Sequence, residues 1–330
     1  MDNLTHSLVG LFLARAGFNR LTPRATAIIV LAANAPDFDA VSWLFGGAAY
    51  IHYHRNLTHS LIAIPLMAIL SAGIVRVLGR KAIRWLPAFG IATIAVVSHI
   101  VLDLTNVYGV RLLLPFSGQW FHWDLTPVID ATLWALLLLG VAAPALGRLV
   151  GSEIGEHRKE AGNAGWAVTA LLLLIGYDYG RNILHERALT QMDSHVYNGL
   201  AARRVGAFPS ANPLVWTGVA ELSSSFVEVP IDLRGNFHPS SEAETFYKPP
   251  RTPAVEAALQ TFAFQRLLEF VQWPLWVVEP APEPEHGTQV VLLDLRFGTP
   301  RQAGFAATAI VNDRNQVVDS RFGFGAVRPR

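Results

Sequence analysis

Apolar residues come in long runs over the first half of the chain and in short alternating or helical patterns over the second. The runs cover residues 7–18, 25–35, 57–78, 85–102, 131–146 and 164–177. A helix needs about 20 largely apolar residues to cross a bilayer. The third to fifth runs reach that length with their flanks counted. The first two are short, which suits tilted, interfacial or neighbour-shielded segments. The middles of the runs are almost purely apolar, and the polar residues gather at their ends. This pattern predicts an α-helical multi-span membrane domain of about six helices over residues 1–177.

After residue 177 the pattern changes. Residues 178–204 are charged and helix-like, whereas 214–220 and 225–229 read as strands. Residues 240–253 are polar and proline-rich, and 254–271 have a helical period. Residues 289–297 and 305–324 alternate as strands, with Asn312-Asp313-Arg314-Asn315 as the expected hairpin turn. Residues 178–330 should form a small α+β domain with its own core.

Composition strengthens the membrane assignment. The chain is 52% hydrophobic and 15% charged, with a mean hydropathy of +0.33, against roughly 25% charge in soluble domains. A formal net charge of +1 gives no reason to expect a nucleic-acid partner. Without cysteine the chain can form neither disulfides nor thiolate metal sites. No basic stretch precedes the first apolar run, so a cleaved signal peptide is not expected. Basic residues fill three loops: Arg15, Arg20 and Arg24; Arg76, Arg80, Lys81 and Arg84; Arg148, Arg158 and Lys159. Read as cytoplasmic, these loops put both termini, the loops 36–56 and 105–127, and the α+β domain outside.

The chemistry collects at the outer ends. LTHSL occurs at residues 4–8 and again at 57–61, each time at the head of an apolar run. One hairpin later come Asp37 and Asp39 after the first copy, His99 and Asp103 after the second. Two duplicated hairpins would thus bring His and Asp to one site. Residues four apart share a helix face, so His99 and Asp103 offer two ligands, as do Asp2 and His6. With His54, His59, Asp124 and Asp130 there are more donors than one ion needs, a surplus typical of two-metal sites. A nitrogen and oxygen donor set suits zinc, manganese or iron.

Each candidate also has a plainer role. Asp124 and Asp130, near the start of the fifth run, could cap a helix or answer its dipole. Asp37 could be a turn residue, and His99 and His59 satisfied structural histidines. Arg55 and Arg111 could be interfacial arginines, or forks for an anionic group of a substrate. His52 and His122 suit interfacial roles. His157, His185, His195, His238 and His286 have no partner pattern and are expected at the surface.

The pieces MDNLTHSLVG, NAPDFD, HRNLTHS and SHIVLDLTNVYGVRLLLPF, followed by Asp130, resemble the YdjM-type inner-membrane family, whose members are described as candidate membrane-bound metal-dependent hydrolases. The resemblance covers residues 1–130. It continues into the tail at Asn212-Pro213-Leu214-Val215-Trp216 and Asp294-Leu295-Arg296-Phe297-Gly298. More distantly, the pattern is similar to zinc-dependent phospholipases C and related zinc nucleases. The resemblance implies a bacterial inner-membrane location and a ligand set of His6, Asp37, His54, His59, His99, Asp103 and Asp130 for a divalent metal, zinc first.

These observations favour a membrane-embedded metal-dependent hydrolase acting on a phosphoester or phospholipid-like substrate at the outer face. Asp39 or Asp124 would accept the proton, and Arg55 or Arg111 would hold the anionic group. Membrane lipid and an anionic substrate are the implied partners. The alternative is a non-enzymatic metal-binding protein or divalent-cation transporter. Transport would favour polar residues near mid-membrane, where this chain has almost none. A structural anchor for the outer domain would leave the His/Asp clustering unexplained. The topology is testable with single cysteines, because the chain has none of its own. Cysteines at Ser117 and Ala281 should react with an impermeant maleimide in intact cells, and one at Gly79 should not; labelling at Gly79 alone reverses the orientation.

Overall fold

The computed structural model describes residues 1–79, 82–153, 163–235, 237–283 and 285–324. Arg80, Lys81, Arg158 and Lys159 of the basic loops, and His157, lie outside the described residues. Seven helices precede the strands: α1 (Asn3–Arg15), α2 (Ala25–Ala32), α3 (Gly47–Tyr53), α4 (Ile64–Gly79), α5 (Trp85–Thr105), α6 (Ala131–Glu153) and α7 (Asn163–Asp193). The chain forms two compact units. The first holds Met1–Asp39, Arg55–Glu186 and Pro209–Val215; the second holds Ala40–His54, Arg187–Phe208 and Trp216–Arg330.

In the first unit, α1 starts at Asp2, whose carboxylate accepts the N–H groups of Leu4 and Thr5. That satisfies amides which the first turn cannot bond internally. Gly10 lets α1 lie close to α2, since a β-carbon there would stand 3.0 Å from Ala33 Cβ. Along α5 the buried stripe runs Ala88, Ala92, Ala95 and Val96 and continues without a break into His99 and Asp103. On α4 it runs Ala68, Ser71, Ala72 and Val75. Small residues serve this purpose in lipid, where apolar burial gives no drive for helix association and close packing must supply it. The opposite faces carry exposed Leu66, Ile69, Leu70, Ile94, Val97 and Val101, as lipid-facing surfaces do.

Among the described residues, two helices are long and apolar enough to cross a membrane, Leu61–Gly79 and Trp85–Thr105. Ala25–Ala32 and Pro36–Phe45, bent by 49° at their junction, make a third if they count as one broken span. Of the six expected spans, two or three are thus shown, by length and composition, among the described residues. Helix α1 is too short, at 13 residues, and Ala131–Gly147 is a shorter apolar helix. In α7, Tyr177, Asp178 and Tyr179 interrupt the apolar run. The two LTHSL copies differ in conformation. The first LTHSL lies inside α1, whereas the second forms a 3₁₀ turn over Leu57–His59.

The first two basic loops meet at one end of this unit. Arg84 donates its N–H to Thr22 Oγ1 at 2.9 Å, and its guanidinium reaches the Arg20 carbonyl at 3.5 Å. Helix α5 leaves that end at Trp85 and reaches His99 and Asp103 at the other.

The second unit contains β1 (Val196–Tyr197), β2 (Leu200–Ala201), β3 (Arg204–Pro209), β4 (Val215–Glu221), β5 (Ser225–Asp232), α8 (Pro239–Glu242), β6 (Glu244–Tyr247), α9 (Pro253–Leu259), α10 (Phe262–Leu268), β7 (Pro274–Pro280), β8 (Thr288–Asp294), β9 (Phe305–Val311) and β10 (Val317–Phe324). Two four-stranded sheets have the orders β3-β4-β5-β6 and β10-β9-β8-β7. The expected strands appear as β4, β5, β8, β9 and β10, with the turn at 312–315 between the last two. The helical period over 254–271 is two helices: Thr252 caps α9, and Thr261 begins α10. Strands β3, β6 and β7 were not legible in the pattern. β6 is a polar edge strand, and β3 and β7, also at sheet edges, carry prolines, which edges tolerate because a missing N–H costs no ladder bond there.

Asp294 and Arg296 form a fully buried ion pair with N···O at 2.7 Å, and the guanidinium also donates to the Phe270 carbonyl. Removing one member leaves a buried charge alone, which costs about 3–5 kcal/mol. Asp294→Ala should therefore destabilise the protein by that amount, read as denaturant unfolding in detergent by tryptophan fluorescence. A loss below about 1 kcal/mol, the ceiling for surface pairs, would mean that the pair carries no such weight.

Candidate metal centre

Four side chains of the first unit converge: Asp37, His59, His99 and Asp103, each offering an atom within 4.8 Å of the others. His99 and Asp103 come from the last turns of α5, and Asp37 from the segment after α2. His59 comes from the 3₁₀ turn that precedes Leu61. All four are buried.

The ring nitrogens are sorted by their outer neighbours. His99 Nδ1 lies 2.7 Å from the Ala33 carbonyl, which can only accept, so Nδ1 carries the hydrogen. That carbonyl is free because α2 ends there and its last carbonyls have no partner one turn on. On His59, Nδ1 lies 3.0 Å from Thr58 Oγ1 and 3.3 Å from Asp39 Oδ2, and the Thr58 hydroxyl donates to Asp39. Both Nε2 atoms are thereby turned inward and stand 3.1 Å apart. Asp103 Oδ2 is 3.2 Å from His59 Nε2 and 3.3 Å from His99 Nε2. Asp37 Oδ1 is 3.5 and 3.6 Å from the same two atoms. Outer partners that fix the tautomer of a histidine are the usual support of a metal ligand.

The other charges balance the carboxylates. Arg55 Nη2 is 3.0 Å from Asp103 Oδ1. The same guanidinium donates to Asn106 Oδ1, the Gly109 carbonyl and the Met1 carbonyl, and stacks on Tyr108. The Met1 amino group also donates to Asp103. Gly109 is required in this turn. Its φ is +79°, and a β-carbon there would stand 2.6 Å from the Phe121 carbonyl oxygen.

His6 stacks on His99 at 3.7 Å and places Nε2 3.4 Å from Asp103 Oδ1. Among the described residues, neither of its ring nitrogens finds a hydrogen-bond partner, nor does Asp37 Oδ1, although all are buried. Buried polar atoms without partners are costly, and a cation among them satisfies several at once. Two imidazole nitrogens and two carboxylates also match what a divalent ion takes. The residues present therefore fit a metal, and this Asp/His group could hold one.

The remaining candidates are not part of this group of four. Asp130 is buried as the cap of α6, accepting the Leu133 N–H at 3.0 Å and the Tyr177 hydroxyl at 2.7 Å. Asp124 lies 2.9 Å from His122 Nδ1. Arg111 is buried over the Trp120 ring at 4.8 Å. His54 belongs to the second unit, where its ring stacks on Tyr50 at 4.5 Å. Asp2 serves as the α1 cap. His52 binds Glu269 within the second unit. His195, His238 and His286 are exposed as expected, but His185 is half-buried. The supporting groups Thr58, Ala33 and Arg55, in its role against Asp103, were not read from the sequence. The one available signal was the break at Asn34-Ala35-Pro36, which frees the Ala33 carbonyl.

A helical unit with a buried His/Asp centre at the end of a membrane-length helix, joined to an α/β unit, defines a class of membrane protein. Residues 1–183 match the YdjM inner membrane protein family, and the chain belongs to it. Residues 253–326 match the YfhP C-terminal alpha/beta plait domain. The chain is similar to the uncharacterized protein YfhP of Bacillus subtilis (strain 168), with 31% identity over 152 residues, 43% of this chain and 46% of that protein. It thus spans about half the length of the curated relative it matches. No solved structure matches.

Burial by itself would lower the pKa of His59, but the carboxylates of Asp103, Asp37 and Asp39 around it outweigh burial and raise the value to about 10. At pH 7 the metal-free centre therefore holds a proton that a cation must displace. The raised pKa contributes stability that is complete below the unfolded value of 6.5 and is lost as pH rises through about 10. Metal binding at pH 7 should release close to one proton, measured by calorimetry in buffers of different ionisation enthalpy. Heat independent of the buffer would show that no proton leaves.

Proposed function

We propose that this protein is a membrane-embedded metal-dependent hydrolase of a phosphoester or phospholipid-like substrate. One observation carries the reading: two histidines with fixed outer nitrogens and two carboxylates meet at the end of a membrane-length apolar helix. Asp37, His59, His99 and Asp103 would hold the ion, with His6 beside Asp103 as a further donor. A bound zinc, manganese or iron ion supplies Lewis-acid polarisation and acidifies a coordinated water. Arg55 offsets the charge of Asp103 and keeps that carboxylate in place. This leaves Arg111 as the better candidate to hold an anionic group, since the Arg55 fork is directed to Asp103, Asn106 and backbone carbonyls.

The first two basic loops, at the far end of the helices, support an outward-facing centre by the positive-inside rule. A substrate with an apolar part in the bilayer and a head at the helix ends suits that level. Full burial of His59, His99 and Asp103 favours a second reading, a metal that only ties the helix ends together.

The two readings separate in a screen of detergent-solubilised protein against phosphodiesters, phosphomonoesters and phospholipids, with zinc, manganese or no metal. His59→Ala and Asp103→Asn should lose metal and turnover together, whereas Arg111→Ala should keep metal and raise KM. Stoichiometric metal without hydrolysis of any ester supports the structural reading. Folded protein that takes up no metal defeats both.

A further inference from the structure

Residues 40–54 leave the first unit after Asp39 and return to it at Arg55, while they themselves belong to the second unit. There they are held by side chains of the α/β elements. The Trp43 ring lies 4.7 Å from Phe324, and Tyr50 lies 5.7 Å from the same ring. His52 Nδ1 is 2.9 Å from Glu269 Oε2, and Arg266 donates to the other oxygen of Glu269 at 2.6 Å. Aromatic packing and an ion pair therefore seat this excursion on α10 and β10.

Both residues at its neck serve the metal centre. Asp39 Oδ2 accepts the Arg55 N–H at 3.0 Å, which closes the neck. The same oxygen accepts the Thr58 hydroxyl and lies 3.3 Å from His59 Nδ1. Arg55 carries its guanidinium to Asp103 from a backbone with φ of +56°. A residue with a β-carbon avoids that conformation unless its surroundings enforce it. The closed neck supplies such an enforcement.

We infer that Asp39 is a positioning residue through which the α/β unit sets the geometry of the metal centre. Seating residues 40–54 keeps the neck closed, and the closed neck fixes the ring of His59 and the reach of Arg55. This inference rests on the metal reading above.

The test is a cobalt(II) titration of the full-length protein in detergent, followed by the visible absorption of the bound ion. Asp39→Ala should weaken binding by roughly 10–100-fold, the usual loss when an outer partner of a ligand is removed, and should shift the absorption bands. Asp39→Asn keeps an acceptor oxygen and should recover most of the affinity. Glu269→Ala, far along the chain from every ligand, should weaken binding in the same direction and shift the same bands. Lys248→Ala removes an ion pair elsewhere in the α/β unit and should change neither. Unchanged affinity and bands in folded Asp39→Ala or Glu269→Ala would overturn the inference. An equal loss in Lys248→Ala would do so too, because it would reveal general destabilisation. If the unaltered protein takes up no cobalt, the metal reading itself fails and this inference falls with it.

Discussion

The structure depends on balancing the charge of the Asp103 carboxylate, which is fully buried. An isolated buried carboxylate costs several kcal/mol even after relaxation, so everything near it must return that energy. Arg55 does so from one side and the imidazoles of His59 and His99 from the other. The arginine fork needs Asn106 and the Gly109 carbonyl to occupy its remaining donors. That in turn fixes the turn after α5 and the glycine within it. A single buried charge thus dictates the local fold of three separate stretches of chain.

The same electrostatics explain why the centre suits a metal and not merely an ion-pair network. With a proton on His59, the carboxylates Asp37, Asp39 and Asp103 gather around one imidazolium. A divalent ion carries more charge than that proton and accepts several donors at once. The atoms left without hydrogen bonds, on His6 and Asp37, lie in this cluster. Polar atoms of a centre built only for stability would ordinarily find partners.

Much of this was legible in the sequence, and what escaped has a physical reason. The spacing of His99 and Asp103 gave their shared face, because helical period is a local property. The convergence of His59 and Asp37 was signalled by the repeated LTHSL and the carboxylates that follow each copy. Asp130 shows the limit. An acid before an apolar helix can cap that helix or ligate a metal, and only three-dimensional distance separates the two. Its bond to Tyr177, nearly fifty residues away, leaves no local trace. Of the six expected spans, two or three are shown by length and composition among the described residues. Hydropathy cannot tell a helix facing lipid from a short one shielded by its neighbours. Prolines concealed the edge strands β3 and β7, since pattern rules exclude proline from strand interiors while edges accept it.

The alanine stripe of α5 has a mechanical consequence. It runs without interruption into His99 and Asp103, so the helix is both the packing element and the arm that carries two ligands. Alanine can be replaced there almost only by something larger. Each such replacement drives a wedge between α5 and its neighbours, and a rigid helix turns a small tilt at Ala92 into a larger displacement three turns away. The lipid-facing side has no such leverage, because acyl chains yield. Sequence drift should therefore be nearly free on one side of this helix and tightly bounded on the other, with the boundary set by geometry and not by chemistry.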